Sequence, residues 1–351
     1  MSVGPVAVGG DAPISVQSMT KTDTRDVEAT VQQIYDYAAR GCEIVRVSVP
    51  TKKAGEVFHE ICSRSPIPVV ADIHFDYRLA LVAADGGAAC LRINPGNIGG
   101  QDRVRAVVDK AGEKGISIRI GVNGGSLEKD LLEKFGTATP EAMVESALRH
   151  LELLEKEGFH NTKISLKASD VYRTVQAYRL LARQVDHPFH LGVTEAGTPF
   201  GGTIRSSLGL GILLAEGIGD TIRVSLTGRG EEECDVGHEI LRALGLRAGG
   251  FRMVSCPSCG RVQIDLDRVA HEIEEGLKAI GHEGITYAVM GCVVNGPGEA
   301  RDADLGVAGG AGEGLIYRKG DLIRKVKEED LVSAFLEEAR RFKAELDGAQ
   351  V

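Results

Sequence analysis

Cys256 and Cys259, in the segment Cys256-Pro257-Ser258-Cys259-Gly260-Arg261, stand at the spacing that lets one tight turn aim two sulfurs at a common point. Downstream, Gly291-Cys292-Val293-Val294-Asn295-Gly296-Pro297-Gly298-Glu299 adds a third thiol and, past a Gly-Pro-Gly stretch, a carboxylate. Soft thiolates favour zinc or an iron–sulfur cluster. A cluster held by three cysteines and one oxygen ligand would have one iron unlike the others, easier to open to a substrate. That asymmetry suits catalysis better than electron storage. A structural zinc would have to recruit Cys292 and His282, and the sequence has no second CxxC to complete a compact ribbon. The CxxxCxxC spacing of adenosylmethionine radical enzymes is also absent.

A second set of chemical residues lies earlier, at the ends of β-rich runs. Residues two apart on a strand share a face. Reading the run ends that way pairs Arg46 with Ser48, Asp72 with His74, Arg92 with Asn94, Arg119 with Asn123, Ser165 with Lys167, and Arg223 with Ser225. The intervening Val47, Ile73, Ile93, Ile120, Leu166 and Val224 are apolar. Any one of these cations alone reads as a solvated strand end. Four arginines and a lysine at equivalent ends of five runs do not read as coincidence. Crowding them costs on the order of several kcal/mol per unpaired ion, and a phosphate or diphosphate ligand offsets that cost. Glu195, the acid among so many cations, is the candidate for proton handling. Asp72 and His74 are candidates as acid or orienting groups.

The elements that must position these residues alternate regularly. Strands are expected at 14–19, 43–49, 67–74, 89–94, 117–122, 162–168, 189–194 and 221–226, with amphipathic stretches between them such as 27–40 and 170–185. Eight β/α units point to an α/β fold, a closed TIM-type (β/α)8 barrel. A doubly wound open sheet fits less well, because no GxGxxG turn follows the first run. Arg247-Ala248-Gly249-Gly250 reads as a linker, dividing the chain into a barrel over 1–247 and a small α+β domain over 251–351. In the latter, a helix is expected at 265–280, a strand at 285–290, hairpin material near 305–307 and 315–317, and a helix from about 328 to 346. The glycine-rich 308–314 reads as a turn, since no Lys-Ser/Thr follows at Walker spacing.

The 351 residues, 43% of them hydrophobic, can bury a sizeable core. A net charge of −9 argues against general nucleic-acid binding, so the local concentration of cations needs a local cause. Seven cysteines without a regular framework fit a reducing cytoplasm, and neither an apolar span nor a secretory leader is visible. Cys42, Cys62, Cys90 and Cys234 read as core residues.

Val16-Gln17-Ser18-Met19-Thr20, Val45-Arg46-Val47-Ser48-Val49-Pro50, Arg92-Ile93-Asn94-Pro95-Gly96-Asn97 and the two cysteine segments together resemble the 4-hydroxy-3-methylbut-2-enyl diphosphate synthase family, in its two-domain bacterial form, essentially from end to end. The resemblance implies a 4Fe-4S cluster on Cys256, Cys259, Cys292 and Glu299. It implies a cyclic diphosphate substrate, 2-C-methyl-D-erythritol 2,4-cyclodiphosphate, opened and dehydrated by two electrons from reduced ferredoxin or flavodoxin on the methylerythritol phosphate route to isoprenoids. Arg46, Arg92, Arg119, Lys167 and Arg223 would grip the diphosphate, assisted by Asn123 and Ser225. Glu195 would act as acid/base with Asp72 and His74 nearby. It further implies a head-to-tail homodimer, each cluster module capping the partner's barrel. Two alternatives stay open: a barrel transferase of pteroate-synthase type with a structural zinc module, and a non-enzymatic iron–sulfur or zinc sensor.

Overall fold

The computed structural model describes residues 1–281, 284–292, 294 and 296–349. His282, weighed above as a zinc ligand, lies outside them. The chain divides into two compact units, residues 1–247 and 248–351.

The first unit opens with a short antiparallel hairpin, β1 (Ser2–Val3) and β2 (Val6–Ala7). Eight strands follow: β3 (Ser15–Met19), β4 (Ile44–Ser48), β5 (Val69–Asp72), β6 (Cys90–Ile93), β7 (Ser117–Asn123), β8 (Thr162–Lys167), β9 (His190–Leu191) and β10 (Thr221–Ile222). All pair in parallel in the order 8-7-6-5-4-3-10-9, and the single bridge Ile164–Phe189 joins the two ends into a ring. The expected barrel is therefore present. Its outward positions are apolar: Val47, Ile73, Ile93, Ile120, Leu166 and Val224 all lie in one buried core under the surrounding helices. Those helices start where the sequence supplies caps. Asp26, Thr51, Asp76, Thr139 and Asp170 each accept a hydrogen bond from a first-turn backbone N–H. The hairpin seals the barrel floor, packing Val3 and Val8 on Ile44, Val70 and Cys90.

Two strands end earlier than the sequence suggests. The runs expected to 194 and 226 pair for only two residues each, as β9 and β10. Gly192 explains part of this: a side chain there would stand 2.8 Å from both Lys167 Nζ and the Arg223 carbonyl, so this level of the barrel holds a lysine where a strand residue would otherwise pack.

The second unit is a five-stranded sheet, β11 (Phe251–Ser255), β12 (Ile285–Met290), β13 (Leu305–Gly310), β14 (Glu313–Arg318) and β15 (Asp321–Lys327), parallel across the first three and antiparallel thereafter. The strand β15 escaped the sequence reading, because four of its seven residues are charged. Helices Leu266–Ile280 and Leu331–Ala349 cover one face through Val269, Ile273, Leu277, Phe335 and Phe342. The short helix Gly296–Asp302 covers the other face through Ala300, packed near Ala288 and Ala308. Gly306 permits this close approach, since a Cβ there would lie 2.8 Å from the Ala300 backbone. No described helix is long and apolar enough to cross a membrane.

Candidate active site and metal centre

Direct register between parallel neighbours puts the cations on one wall. Met19 pairs with Arg46, Asp72 with Arg92, Arg92 with Arg119, and Asn123 with Lys167. Paired residues in a sheet point the same way, so all these side chains enter the barrel. They line one cavity at the carboxyl ends of the strands, formed by Arg46, Asp72, His74, Arg92, Arg119, Asn123, Ser165, Lys167, Thr194, Arg223 and Ser225. Nine of the ten barrel residues proposed from sequence are in that lining. Gly121 makes room for the crowd, because a Cβ at that inward position would overlap the Arg92 guanidinium.

Glu195, the tenth, lines an adjoining, more open cavity with Asn123, Gly124, Ser126, Ser169 and Arg173, and the two cavities share Asn123 and Thr194. Its backbone is left-handed at φ 52°, a region that costs a non-glycine residue on the order of 1 kcal/mol or more. The carboxylate is thus held at the rim of the cation site, apart from its floor.

Two carboxylates serve this cluster. Asp72, 2% exposed, takes Arg92 Nη1 on Oδ1 at 3.0 Å and has Arg46 Nε 3.5 Å from Oδ2, with His74 Nε2 at 3.9 Å. Burial alone would push the Asp72 carboxyl up. The guanidiniums of Arg46 and Arg92, with smaller help from His74 and Arg119, hold it well below the usual carboxylate range. Glu233, from the helix Gly230–Ala243, lies 3.7 Å from Arg223 Nη2, and also takes Lys21 Nζ and the Ser18 hydroxyl, each at 3.0 Å. Sequence reasoning missed Glu233. It sits in a run of three glutamates at a helix start, where solvation is the ordinary role.

Among the described residues neither Arg119 nor Lys167 has a carboxylate partner, although they are 1% and 6% exposed. Arg119 reaches Gln17 Oε1 at 3.4 Å, and Arg46 leans on the Met19 sulfur at 2.7 Å; strand parity could have flagged both neighbours. Nε of Arg92, Arg119 and Arg223 has no partner. Burial, then the neighbouring arginines, pulls Lys167 well below its ordinary value, and burial with Arg92 brings Arg119 down to about 10. A desolvated, like-charged set of this kind is built for an anion.

In the second unit, Cys256 follows β11 and Cys292 stands two residues past β12, and these strands are parallel neighbours with Ser255 opposite Val289. Backbone bonds stitch the loops together: Cys256 N–H to the Val289 carbonyl (3.3 Å), Gln263 N–H to the Gly291 carbonyl (2.8 Å), and Gly291 N–H to the Cys256 sulfur (3.3 Å). The Arg261 guanidinium, followed by its backbone N–H, lowers the Cys259 thiol, and Arg261 also feels the charges of Cys292 and Cys256. Cys292 is buried, Cys256 half-buried and Cys259 exposed. Glu299 is exposed on the helix that Gly306 admits. Among the described residues no three His, Cys, Asp or Glu side chains converge tightly enough to share one metal ion. A four-iron cube is wider than one ion. Two adjacent strand-end loops carrying three sulfurs between them, with an N–H directed at Cys256 and a guanidinium at Cys259, fit a cluster better than a lone zinc.

The comparisons with known proteins agree with this geometry. Residues 1–238 match the GcpE TIM-barrel domain, and residues 252–341 match the GcpE protein C-terminal domain. A protein of Geobacter sulfurreducens, 60% identical over 98% of this chain and 97% of its own length, is named 4-hydroxy-3-methylbut-2-en-1-yl diphosphate synthase (flavodoxin). Proteins of Maridesulfovibrio salexigens (57% identical, over 99% of this chain and 97% of theirs) and Clostridium tetani (56%, over 97% of each) carry the same name. Matches of this length set aside the transferase and sensor alternatives.

Proposed function

Because the chain belongs to the GcpE family, we propose that it forms 4-hydroxy-3-methylbut-2-enyl diphosphate by reductive opening and dehydration of 2-C-methyl-D-erythritol 2,4-cyclodiphosphate, using electrons from reduced flavodoxin. The change adds two electrons and two protons to the substrate and releases one water. The observation that carries this reading is the surplus of buried cations at the barrel mouth. Five basic side chains face one cavity with Asp72 and Glu233 as their carboxylate partners, and a diphosphate would satisfy the rest.

In this reading Arg46, Arg92, Arg119, Lys167 and Arg223 hold the phosphate oxygens, and Asn123 and Ser225 add neutral donors. Asp72 fixes Arg46 and Arg92 in the orientation that receives them. The carbon skeleton then lies toward the adjoining cavity, where the Glu195 carboxyl handles the proton that leaves with the departing hydroxyl. His74, its side chain 48% exposed, is a rim group beside that path. Cys256, Cys259, Cys292 and Glu299 would hold a 4Fe-4S cluster, which supplies electrons singly and an exchangeable corner for a substrate oxygen. The Arg261 guanidinium offsets the negative charge of the thiolates. We assign a homodimer in which each chain's second unit covers the partner's barrel mouth.

Anaerobically purified protein should be brown, contain about four irons and four sulfides per chain, and convert the cyclic diphosphate with reduced flavodoxin. Colourless protein with one zinc would refute the cofactor. A monomer that keeps full specific activity on dilution, checked by sedimentation, would refute the dimer.

A further inference from the structure

Parallel barrels of this type are filled with bulky branched side chains. Beneath the cation cavity this one is so filled only where Ile44 and Val70 meet the hairpin; the other side is polar. Among the described residues, Ser15 Oγ, Gln17 Nε2, Ser117 Oγ, Arg119 Nε, Lys163 Nζ and His190 Nε2 all lack a hydrogen-bond partner, and none of these residues is more than 1% exposed. Strand register places them inside the barrel. Ser15 and His190 both pair with Thr221, and Lys163 pairs with Arg119. His190 Nδ1 meets the Thr221 hydroxyl at 2.7 Å, which leaves Nε2 turned into the same interior.

Six orphaned polar atoms on four strands cannot stay dry without losing on the order of 1–3 kcal/mol each. All but one are obligate or rotatable donors, with no carboxylate among them, so the missing partner is an acceptor such as water oxygen. The column also has two ends. Above, on the same strand as Lys163, is Lys167, whose charge acts on His190 along with those of Arg119 and Lys163. Below, half-buried at the barrel floor, Asp220 accepts from the Phe189 N–H at 2.6 Å and feels both Lys163 and the N-terminal ammonium.

We propose that the barrel interior holds a file of ordered waters through which Lys163 and His190 carry protons from the floor at Asp220 to the Lys167 end of the substrate site. This rests on the reductive dehydration and the capped barrel mouth proposed above; that reaction takes up two protons per turnover. The balance is simple. Lys163 ammonium gives a proton to an interior water, which passes one by way of the His190 imidazole to Lys167. Lys167 gives one to the phosphate oxygen freed when the ring opens, while Glu195 serves the departing hydroxyl, and Lys163 is refilled from the Asp220 carboxyl, which regains its proton from solvent. No electrons move along this path. Burial, opposed by Cys90 and Asp220, brings the Lys163 amine down to about 8, where it can both give and regain a proton near neutral pH.

The test compares Lys163→Arg and Lys163→Met with wild-type holoenzyme. Arginine keeps charge and donors but cannot release its proton. Both variants should retain iron content and KM, lose at least about tenfold in kcat (1.4 kcal/mol), and show an increased solvent deuterium isotope effect. A Lys163→Arg enzyme with wild-type kcat and isotope effect would overturn the relay. If neither variant folds, His190→Gln serves the same comparison. A high-resolution crystal structure gives a readout independent of turnover: ordered waters bonded to Lys163 Nζ and His190 Nε2 are expected, and a dry interior would overturn the proposal. Wild-type protein inert toward the cyclic diphosphate would instead sink the assigned reaction, whatever the waters show.

Discussion

Arg92 and Asp72 face each other from paired positions on adjacent strands, Nη1 to Oδ1 at 3.0 Å, and the same carboxylate also restrains Arg46. One buried anion thereby organises two of the cations assigned to the substrate. Asp72→Asn should therefore destabilise the substrate-free protein by about 3–5 kcal/mol at neutral pH. The folded-state value of Asp72 is depressed, so its stabilisation is present above the unfolded carboxyl value, about 3.9, and fades as pH falls below it. Urea unfolding should show a wide gap between wild type and variant at pH 7 and a narrower one near pH 3. Equal gaps at both would contradict the pairing.

Lys167 tests the anion site from the other side. Burial and the surrounding arginines lower its amine in the empty pocket, and a bound diphosphate would raise it again. Binding should therefore take up protons, and affinity should strengthen as pH falls. Calorimetry of inorganic diphosphate in buffers of different ionisation heat reads the uptake directly. Lys167→Met should remove most of it and weaken binding about 10- to 100-fold (1.4–2.7 kcal/mol).

Glu195 sits in strained backbone, which is uncommon for a residue kept only as a surface charge. Glu195→Gly should raise thermal stability slightly, by up to about 1 kcal/mol, while lowering kcat at least a hundredfold and leaving diphosphate affinity intact. A variant that is both more stable and fully active would remove Glu195 from the chemistry.

At the cysteine loops the four proposed ligands should behave differently. Cys292 is buried, and its replacement by alanine should abolish iron binding and turnover together. Glu299 is exposed, and Glu299→Ala should keep part of the iron yet impair turnover. Iron and sulfide analysis with visible spectra separates these outcomes. Full iron content in Cys292→Ala would break the assignment.

The cation set was legible in the sequence because it follows a period of two: Arg46, Arg92, Arg119, Lys167 and Arg223 stand at inward positions whose neighbours are plainly apolar. The full-length family match agrees with the barrel reading. Glu233 was not legible, because a glutamate in an acidic helix start looks solvated until the fold brings it to Ser18 and Arg223. Lys163 and His190 were hidden for another reason. Both stand at or near the start of a strand, and nothing local says that inward positions on other strands, Ser15 and Ser117, are polar as well. β15 was missed because Leu322-Ile323 and Arg324-Lys325 fall as like pairs, which breaks the alternation that marks a half-buried strand.

The ring of strands closes through the β-bridge Ile164 to Phe189 and a backbone bond from the Thr194 N–H to the Ala168 carbonyl (3.1 Å), beside the two shortest strands of the barrel. With so few ladder bonds on that side, the wall between Lys167 and Arg223 is the place where the cylinder gives way most cheaply. Backbone amides there should trade hydrogen for deuterium ahead of those in β4 to β7. The same seam sets how far the pocket can dilate around a bulky ring without unravelling the remainder of the barrel.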